Sequence, residues 1–442
     1  MLRPSRSTRE RQQLILGIAL WLAIFLTGVV CLWWGFFAPM PESFQLAPTS
    51  TVAPARTSTP TGGLIPLATA TPAPEGESRP TIPLSQETFG YGIAVHGVVG
   101  DPNYTMDVVK SLGLGWVKQQ LRWDLVEPSP GQYNWGMYDG VVDAANQRGL
   151  RVLLSVVHAP EWSHPSYRDS NPEGAPPDDL ALFADFLGRL VDRYRGRIHA
   201  IEVWNEQNLD REWDTAEGVS PARYVEMLRL AYQAIKSRDP NILVVSGALS
   251  PVGATATDPA NPNRIIYMDD YQYYQEMIAR GFLSYADCVG AHHNGYNIPP
   301  DIAWDDKTYQ DPTAKFRAFW DNPHPTWSFR STLWRYRDAI SGMKPLCVTE
   351  FGWASSEGFG PPPPGFEFAL DNTLQEQAQY IVRAYQLMRE WGFVRLAFLW
   401  NLDYIQKTGL PPEKDPYGPY SIIDPKGAPR PAFDAVRNMP KP

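Results

Sequence analysis

Strand-like runs alternate with helical segments from residue 89 to the end of the chain, and this alternation constrains the fold more than any other feature. The runs are short, apolar and rich in β-branched residues, as in parallel strands that are buried on both faces. They lie at residues 91–96, 116–121, 151–158, 200–204, 242–247, 288–293, 346–349 and 395–400. Helical periodicity follows each run, at residues 105–112, 138–148, 179–194, 221–238, 271–280, 328–341, 374–391 and 431–438.

Eight such units predict an α/β fold, a closed (β/α)8 TIM barrel, over residues 87–442. An open doubly wound sheet has the same alternation. Its usual mark is a Gly-x-Gly-x-x-Gly turn after the first strand, and the sequence has no such turn there. Eight units also favour closure, so we expect the barrel.

The N-terminal segments have a different composition from the barrel. Residues 14–38 form an uncharged run of 25 residues, which is long enough to span a hydrocarbon core of roughly 30 Å. Four arginines precede this run and predict that the N-terminus stays in the cytoplasm: Arg3, Arg6, Arg9 and Arg11. We therefore expect a basic cytoplasmic tail at 1–12 and a transmembrane signal-anchor at 13–38 that contacts the lipid bilayer.

A cleaved signal peptide is the alternative for the same run. The obvious cleavage point follows Ala38, but Phe36 occupies a position that favours small residues and Pro39 comes directly afterwards. Residues 39–86 are rich in Pro, Thr, Ser and Ala and show no amphipathic period, which predicts a disordered, extended stalk. The barrel is thus expected outside the cytoplasmic membrane, or secreted if the segment is cleaved.

Charge and cysteine content exclude several functions. The net charge is −9 and no basic stripe runs through the chain, so nucleic acid is not an expected partner, and nothing implies an obligate protein partner. Three cysteines provide neither a disulfide framework nor a zinc-site spacing. Cys288 and Cys347 lie in predicted strands, where buried free thiols are the simplest interpretation and a disulfide is the alternative for an exported protein.

Two glutamates stand where a predicted strand gives way to a loop. Glu206 follows the fourth strand and Glu350 follows the seventh, and the carboxyl ends of barrel strands share one rim. Cleavage of a glycosidic bond needs one acid to protonate the leaving oxygen and a second carboxylate to attack or stabilise the sugar cation. Because these strands lie on opposing sides of the barrel, we expect carboxyl groups about 5–5.5 Å apart and retention of anomeric configuration.

Polar or aromatic side chains stand at the ends of nearly all the predicted strands. They are His96, Arg122, Trp123, His158, Asn205, His292, His293, Asn294, Trp400 and Asn401. A ring of such residues at one rim is hard to explain by packing, because buried polar groups are costly unless they are paired or functional. For His96 and His158, burial as core histidines is an equally good interpretation.

The chain resembles the clan A glycoside hydrolases, retaining (β/α)8 enzymes that include families 5 and 39. The resemblance rests on Trp204-Asn205-Glu206 after strand four and on Thr349-Glu350 in strand seven. It implies that Glu206 is the acid/base and Glu350 the nucleophile, with Asn205 binding the 2-hydroxyl of the sugar. An apolar setting is expected to raise the pKa of Glu206 so that it stays protonated.

The same resemblance assigns further substrate-binding residues. Arg122 matches an arginine that supports the nucleophile, although it could instead pair with Asp124 or Glu127. A tryptophan beneath the reacting sugar corresponds to Trp400, and the sixth strand is expected to contribute His292 or His293, together with Tyr296. Neighbouring strand residues point in opposite directions, so only one of the two histidines should face the rim.

Two long connections on the same side carry aromatic residues, at 295–327 and 358–372. Loops of this length in a compact domain are usually functional, so we expect them to form walls of a sugar cleft. A hydrophobic lid that packs on itself is the alternative.

These observations predict a retaining glycoside hydrolase that acts on a β-linked glycan without a metal or cofactor. A non-catalytic carbohydrate-binding barrel is a rival of another class, but a binder needs no pair of carboxylates. A transglycosidase would share the covalent intermediate. A metal-dependent hydrolase is disfavoured, because His292 and His293 are adjacent and lack the spacing of a shared metal site.

Overall fold

The computed structural model describes residues 89–165, 174–411 and 414–441. The predicted tail, membrane anchor and stalk, at 1–12, 13–38 and 39–86, lie outside these residues. Within the described part of the chain, no helix is both long enough and apolar enough to cross a membrane.

Eight parallel strands form the barrel that the sequence predicts. A two-stranded antiparallel hairpin, β6 and β7, is inserted after β5 and was not predicted. The strands are β1 Gly90–Val95, β2 Trp116–Arg122, β3 Arg151–Val157, β4 Ala200–Val203, β5 Leu243–Ser246, β6 Ala256–Asp258, β7 Asn261–Tyr267, β8 Val289–Gly295, β9 Leu346–Trp353 and β10 Val394–Leu399. The sheet order is β5-β4-β3-β2-β1-β10-β9-β8, and a parallel bridge between Val245 and Cys288 closes the barrel.

A helix or helix pair follows most barrel strands, at the positions that the periodicity predicts. The helices are α1 Pro102–Ser111, α2 Trp123–Val126, α3 Gly136–Gln147, α4 Leu180–Arg193, α5 Pro221–Arg238, α6 Asp270–Ala279, α7 Ala318–Asp321, α8 Phe329–Ala339, α9 Leu374–Trp391 and α10 Pro431–Asn438. Side-chain caps fix the starts of six of these helices, α1, α4, α5, α6, α8 and α9. In α9, Thr373 and Glu376 form a reciprocal capping box, and Gly392 ends the helix in the left-handed conformation.

The end of the barrel interior opposite the catalytic rim is filled by apolar side chains. These are Trp116, Leu153, Ala200, Leu243, Val245, Cys288, Cys347, Leu396 and Phe398, all buried. They come from strands all around the barrel, as the packed layers of this fold require. The polar side chains at the carboxyl ends of the strands therefore lie above a closely packed apolar layer.

Cys288 and Cys347 form a disulfide within this apolar layer. Free thiols were the simplest interpretation of the sequence, and that interpretation is wrong for the structure. The register explains the pairing, because Cys347 lies beside Gly290 on the neighbouring strand β8 and the two cysteine Cα atoms are 5.8 Å apart. The bond closes a loop of 59 residues that contains α7 and α8.

Removing this disulfide should lower stability. Closing a loop of this length corresponds to about 4 kcal/mol in the chain-entropy model, and losses of roughly 2–5 kcal/mol are usual. We expect the double variant Cys288→Ala/Cys347→Ala to show a lower midpoint in denaturant unfolding. A reducing agent should lower the midpoint of the unmodified protein but not that of the double variant, and equal sensitivity in both would contradict the disulfide.

Candidate active site

The two glutamates meet at the carboxyl end of the barrel. Glu206 follows β4 through Trp204 and Asn205, whereas Glu350 lies inside β9, which continues to Trp353. One carboxylate oxygen of Glu206 and one of Glu350 are within 4.8 Å of each other. This spacing agrees with the roughly 5–5.5 Å expected for a retaining pair and is well below the roughly 6.5–9.5 Å of an inverting one.

The backbone after β4 is strained where it delivers the acid. Trp204 has φ 74° and Glu206 has φ 41°, in the left-handed region that non-glycine residues rarely adopt. Buried contacts hold this turn: the indole N–H of Trp204 donates to the carbonyl of Glu212 (2.6 Å) and the amide of Glu206 donates to the carbonyl of Ala248 (2.9 Å). Trp204 therefore packs beneath the site and does not line it.

A register shift in β8 positions a histidine between the two glutamates. The irregularity falls between Ala291 and His292 and brings His292 opposite Glu350. His292 Nδ1 lies 3.2 Å from Glu206 and 3.9 Å from Glu350. Burial disfavours its charged form, but the charge of Glu350 and the hydrogen bond with Glu206 outweigh this effect and raise the pKa of His292.

Lys118 supports Glu350 from inside the barrel. Its Nζ atom lies 3.1 Å from Oε1 of Glu350 and 3.0 Å from Oε2 of Glu202, and its side chain is only 2% exposed. Burial lowers the pKa of Lys118, but the charges of Glu202 and Glu350 outweigh this effect and raise the pKa above its usual value. The side-chain amide of Asn294 donates to the other oxygen of Glu350, at 3.2 Å. Lysine and amide together hold the Glu350 carboxylate in place.

The predicted pairing of Arg122 with Glu350 is wrong. Arg122 donates instead to both oxygens of Asp124, at 3.1 and 2.7 Å, which is the alternative that the sequence left open. Arg122 ends β2 and starts the short helix α2, so the acid two residues later lies beside its guanidinium. Lys118, four residues earlier on the same strand, occupies the position that we expected Arg122 to take.

Glu206 is held ionised, contrary to expectation. Arg211 Nη2 lies 2.6 Å from Oε2 of Glu206. Burial would raise the pKa of Glu206, but the His292 hydrogen bond and the Arg211 charge outweigh it and lower the pKa well below its usual range. Beside them, burial and then the charge of Glu206 raise the pKa of Glu212 to about 8.

The remaining predicted residues divide between the cleft and the interior. Asn205, Tyr296 and Trp400 line the cleft, as does His96, whose pKa is lowered to about 3 by burial and by the charges of Lys407 and Lys118. Tyr296 does not contact Glu350, because its hydroxyl donates to the carbonyl of Pro251 (2.9 Å).

Two predicted residues lie away from the cleft. His293 is buried with Nε2 3.0 Å from the carbonyl of Thr326, and burial lowers its pKa to about 4. Only His292 of the histidine pair therefore reaches the glutamates, as the alternation predicted, and the assignment of His293 to the site is wrong. His158 follows β3 with φ 56° and is not among the residues that line the cleft.

Aromatic loop residues form the walls of a cavity of about 610 Å³ above the glutamates. Tyr296 and Phe316 stack with their ring planes 6° apart, and Trp327 and Phe368 pack edge-on against Tyr296. These residues come from both loops for which we predicted cleft walls. On the other side, the loop after β10 contributes Tyr404, Tyr417 and Tyr420. Gly352 allows β9 to approach this side closely, because a Cβ there would lie 2.4 Å from the carbonyl oxygen of Trp400.

Comparison with known proteins agrees with this geometry. A family model described as "Cellulase (glycosyl hydrolase family 5)" matches residues 87–404. The chain belongs to glycosyl hydrolase family 5. The predicted resemblance to clan A enzymes is thereby confirmed, with the family 5 alternative matched directly.

Similar proteins include β-1,4-xylanase of Dictyoglomus thermophilum, 27% identical over 93 residues that cover 20% of this chain and 24% of the xylanase. Endo-1,4-beta-xylanase 1 of Gibberella zeae is 26% identical over 123 residues, which cover 27% of this chain and 32% of that protein. The chain thus matches less than a third of the length of these relatives.

Solved structures share the fold of this family 5 chain. A family 39 glycoside hydrolase from Bacteroides cellulosilyticus WH2 superposes with a TM-score of 0.58 at 19% identity, over 81% of this chain and 65% of that one. Xylanase 10B from Thermotoga petrophila RKU-1, solved in complex with xylobiose, gives a TM-score of 0.52 at 17% identity, over 82% and 98% of the two chains.

Glu206, His292 and Glu350 are spaced closely enough to hold a metal ion in principle, since one ligand atom from each lies within 4.8 Å of the others. The electrostatics of this family 5 site oppose it. A histidine ligand must be neutral, whereas the pKa of His292 is raised, and Lys118 already neutralises Glu350. The trio therefore lacks the neutral histidine that a metal site needs.

Lys118→Met should alter how activity depends on pH. Glu350, the predicted nucleophile, must be ionised in order to attack, and the variant removes the cation beside it, so the acidic limb of the kcat/KM profile should move to higher pH by about 1–2 units. Arg122→Gln is the matched control, because it removes a neighbouring cation that pairs with Asp124. A shift in the control but not in Lys118→Met would restore the role first expected for Arg122.

Proposed function

We propose that this chain is a retaining glycoside hydrolase that cleaves β-linked glycans by double displacement. The observation that carries the proposal is the approach of the Glu206 and Glu350 carboxylates to within 4.8 Å at the floor of an aromatic cleft. This spacing leaves no room for a water molecule between sugar and carboxylate, so the second carboxylate attacks directly.

Each half of the reaction uses the two carboxylates differently. In the first half, Glu350 attacks the anomeric carbon while Glu206 protonates the departing oxygen, and a covalent glycosyl-enzyme forms. In the second half, Glu206 takes a proton from water while the water oxygen attacks the anomeric carbon and the bond to Glu350 breaks, which releases the sugar with its original configuration. Lys118 and Asn294 hold and orient the attacking carboxylate.

Other cleft residues bind the sugar. Asn205 is buried beside Glu206, and its side-chain oxygen has no hydrogen-bond partner within the described residues, so it can accept from a sugar hydroxyl. Trp400 offers a flat apolar face, against which the C–H face of a sugar ring can pack. The walls formed by Phe316, Trp327 and Phe368 exclude water from the reacting bond.

Xylan is the first substrate to test, because several similar proteins are named xylanases or xylosidases. A panel of β-xylosides, β-glucosides, β-mannosides and the corresponding polysaccharides separates the candidates. The same panel distinguishes release of single sugars from internal cleavage.

Product stereochemistry tests the mechanism. Proton NMR at early times should show a β-anomer as the first product. Glu350→Gln should abolish turnover, whereas Glu206→Ala should retain more activity on aryl glycosides with good leaving groups, which need no proton.

Four results would contradict these assignments. An inverted anomer would exclude double displacement. Equal activity of Glu206→Ala on good and poor leaving groups would remove Glu206 from the acid role. Binding of glycans without any release of sugar would indicate a carbohydrate-binding barrel, and transfer to an added sugar acceptor in preference to water would indicate a transglycosidase.

We also propose that the barrel is displayed outside the cytoplasmic membrane by an uncleaved anchor at 13–38 and a stalk at 39–86. The support is the arginine-flanked apolar run in the sequence, together with the disulfide between Cys288 and Cys347, a bond that is usual in oxidising compartments. Polymeric glycans outside the cell would then reach the cleft directly.

Fractionation tests this placement. Full-length protein should sediment with membranes, and protease added to intact cells should cut within 39–86 and release an active domain. Deletion of 1–38 is the matched control and should yield protein that no longer sediments. A mature N-terminus near residue 39 in secreted protein would contradict the anchor.

A further inference from the structure

Arg211 lies between two carboxylates in the loop that follows β4. Its Nη2 atom is 2.6 Å from Oε2 of Glu206, and its Nε atom is 3.7 Å from Oε1 of Glu212. Its Nη1 atom donates to the hydroxyl of Tyr417 at 3.1 Å. The Arg211 side chain is 48% exposed and lines the cleft together with both glutamates, so it has room to move.

The contact between Arg211 and Glu206 conflicts with the first half of the reaction. A general acid must carry a proton, and a guanidinium at 2.6 Å favours the ionised carboxylate that cannot donate one. The second half needs the opposite, because Glu206 must then be ionised to accept a proton from water. Arg211 therefore has to move away from Glu206 for the first half of the reaction and stabilise the Glu206 anion in the second half.

Glu212 provides an alternative partner for Arg211. Its carboxyl group is 19% exposed and already near the guanidinium. Burial and then the negative charge of Glu206 raise the pKa of Glu212 to about 8, so this group holds a proton while Glu206 is ionised. Once Glu206 is protonated, its charge no longer disfavours ionisation of Glu212.

We propose that Glu212 is a positioning residue that receives Arg211 when Glu206 takes up its catalytic proton. The inference rests on the proposed retaining mechanism. The O–H bond of Glu212 breaks and an O–H bond on Glu206 forms, by exchange with water in the cleft. Arg211 keeps its charge and faces one carboxylate anion in both states, so the net charge of the three groups does not change.

Other ionisable groups near Glu206 remain in place during this exchange. They are His292 on β8, Glu350 on β9, Tyr296 after β8, and Tyr417 and Tyr420 in the loop after β10. His292 is fully buried and hydrogen-bonded to Glu206, and Glu350 is fixed by Lys118. Of the charged groups around the acid, Arg211 is the one with a large exposed fraction and a second carboxylate beside it.

Leaving-group dependence tests the exchange. In Glu212→Gln, Arg211 loses its second carboxylate and stays with Glu206. We expect kcat/KM to fall about 10-fold or more on aryl β-glycosides with poor leaving groups and to change little on those with good leaving groups. The alkaline limb of the pH profile should move to lower pH, because Glu206 then loses its proton more readily.

The double variant Arg211→Gln/Glu212→Gln should restore both the activity on substrates with poor leaving groups and the position of the alkaline limb. The reason is that the cation that favours the ionised form of Glu206 is gone. Glu217→Gln, an exposed glutamate of the same loop, is the matched control and should leave the profile unchanged. An equal loss on good and poor leaving groups, or no recovery in the double variant, would overturn the proposal. Unmodified protein that releases no sugar from any glycoside would instead overturn the retaining mechanism, and this inference with it.

Discussion

The buried ion pairs of Lys118 are the constraint on which the active site depends. A lysine and two glutamates are removed from water inside the barrel, and such charges are tolerated only when they are paired at short distance. The hydroxyl of Thr349 also donates to Glu202 (2.6 Å), which satisfies a further acceptor. Loss of one member would leave an uncompensated buried charge, at a cost of about 3–5 kcal/mol. The requirement for pairing therefore fixes how β2, β4 and β9 face one another, and it fixes Glu350 with them.

The two proposed catalytic glutamates consequently differ in how firmly their surroundings hold them. Glu350 lies within a strand and is bound by Lys118 and Asn294, so its position is set before substrate arrives. Glu206 lies in a strained turn after a strand, where its cationic neighbour Arg211 is half-exposed. This difference between the two glutamates suits the proposed mechanism, because a nucleophile acts in one charge state whereas an acid/base must change between two.

The sequence predicted those parts of the molecule that follow from periodicity. Eight strand–helix units predicted the barrel, and Glu206 and Glu350 were found because strand ends share one rim. The same periodicity could have revealed Lys118, since it lies two residues after Trp116 in the same strand and therefore points, like Trp116, into the barrel interior. Arg122 was misassigned because Asp124, two residues later, satisfies it locally. Arg211 and Glu212 lie in an irregular loop, where no repeat relates sequence position to direction, so their contacts with Glu206 had no signal in the sequence.

Charge balance connects the floor of the barrel with the loop above it. Ion-pair contacts connect four carboxyl groups, of Glu202, Glu206, Glu212 and Glu350, with three basic groups, of Lys118, Arg211 and His292. With His292 protonated, these groups are neutral as a set only when one carboxyl group also holds a proton. Burial places that proton on Glu212 in the resting enzyme, because Glu206 is stabilised as an anion by Arg211 and His292. In the proposed exchange, the proton moves from Glu212 to Glu206 and the set stays neutral. Glu206 can therefore become protonated without any net charge being added to a poorly solvated cleft. Positive charge that develops on the sugar is then compensated by Glu350, whose own cation is fixed beneath it.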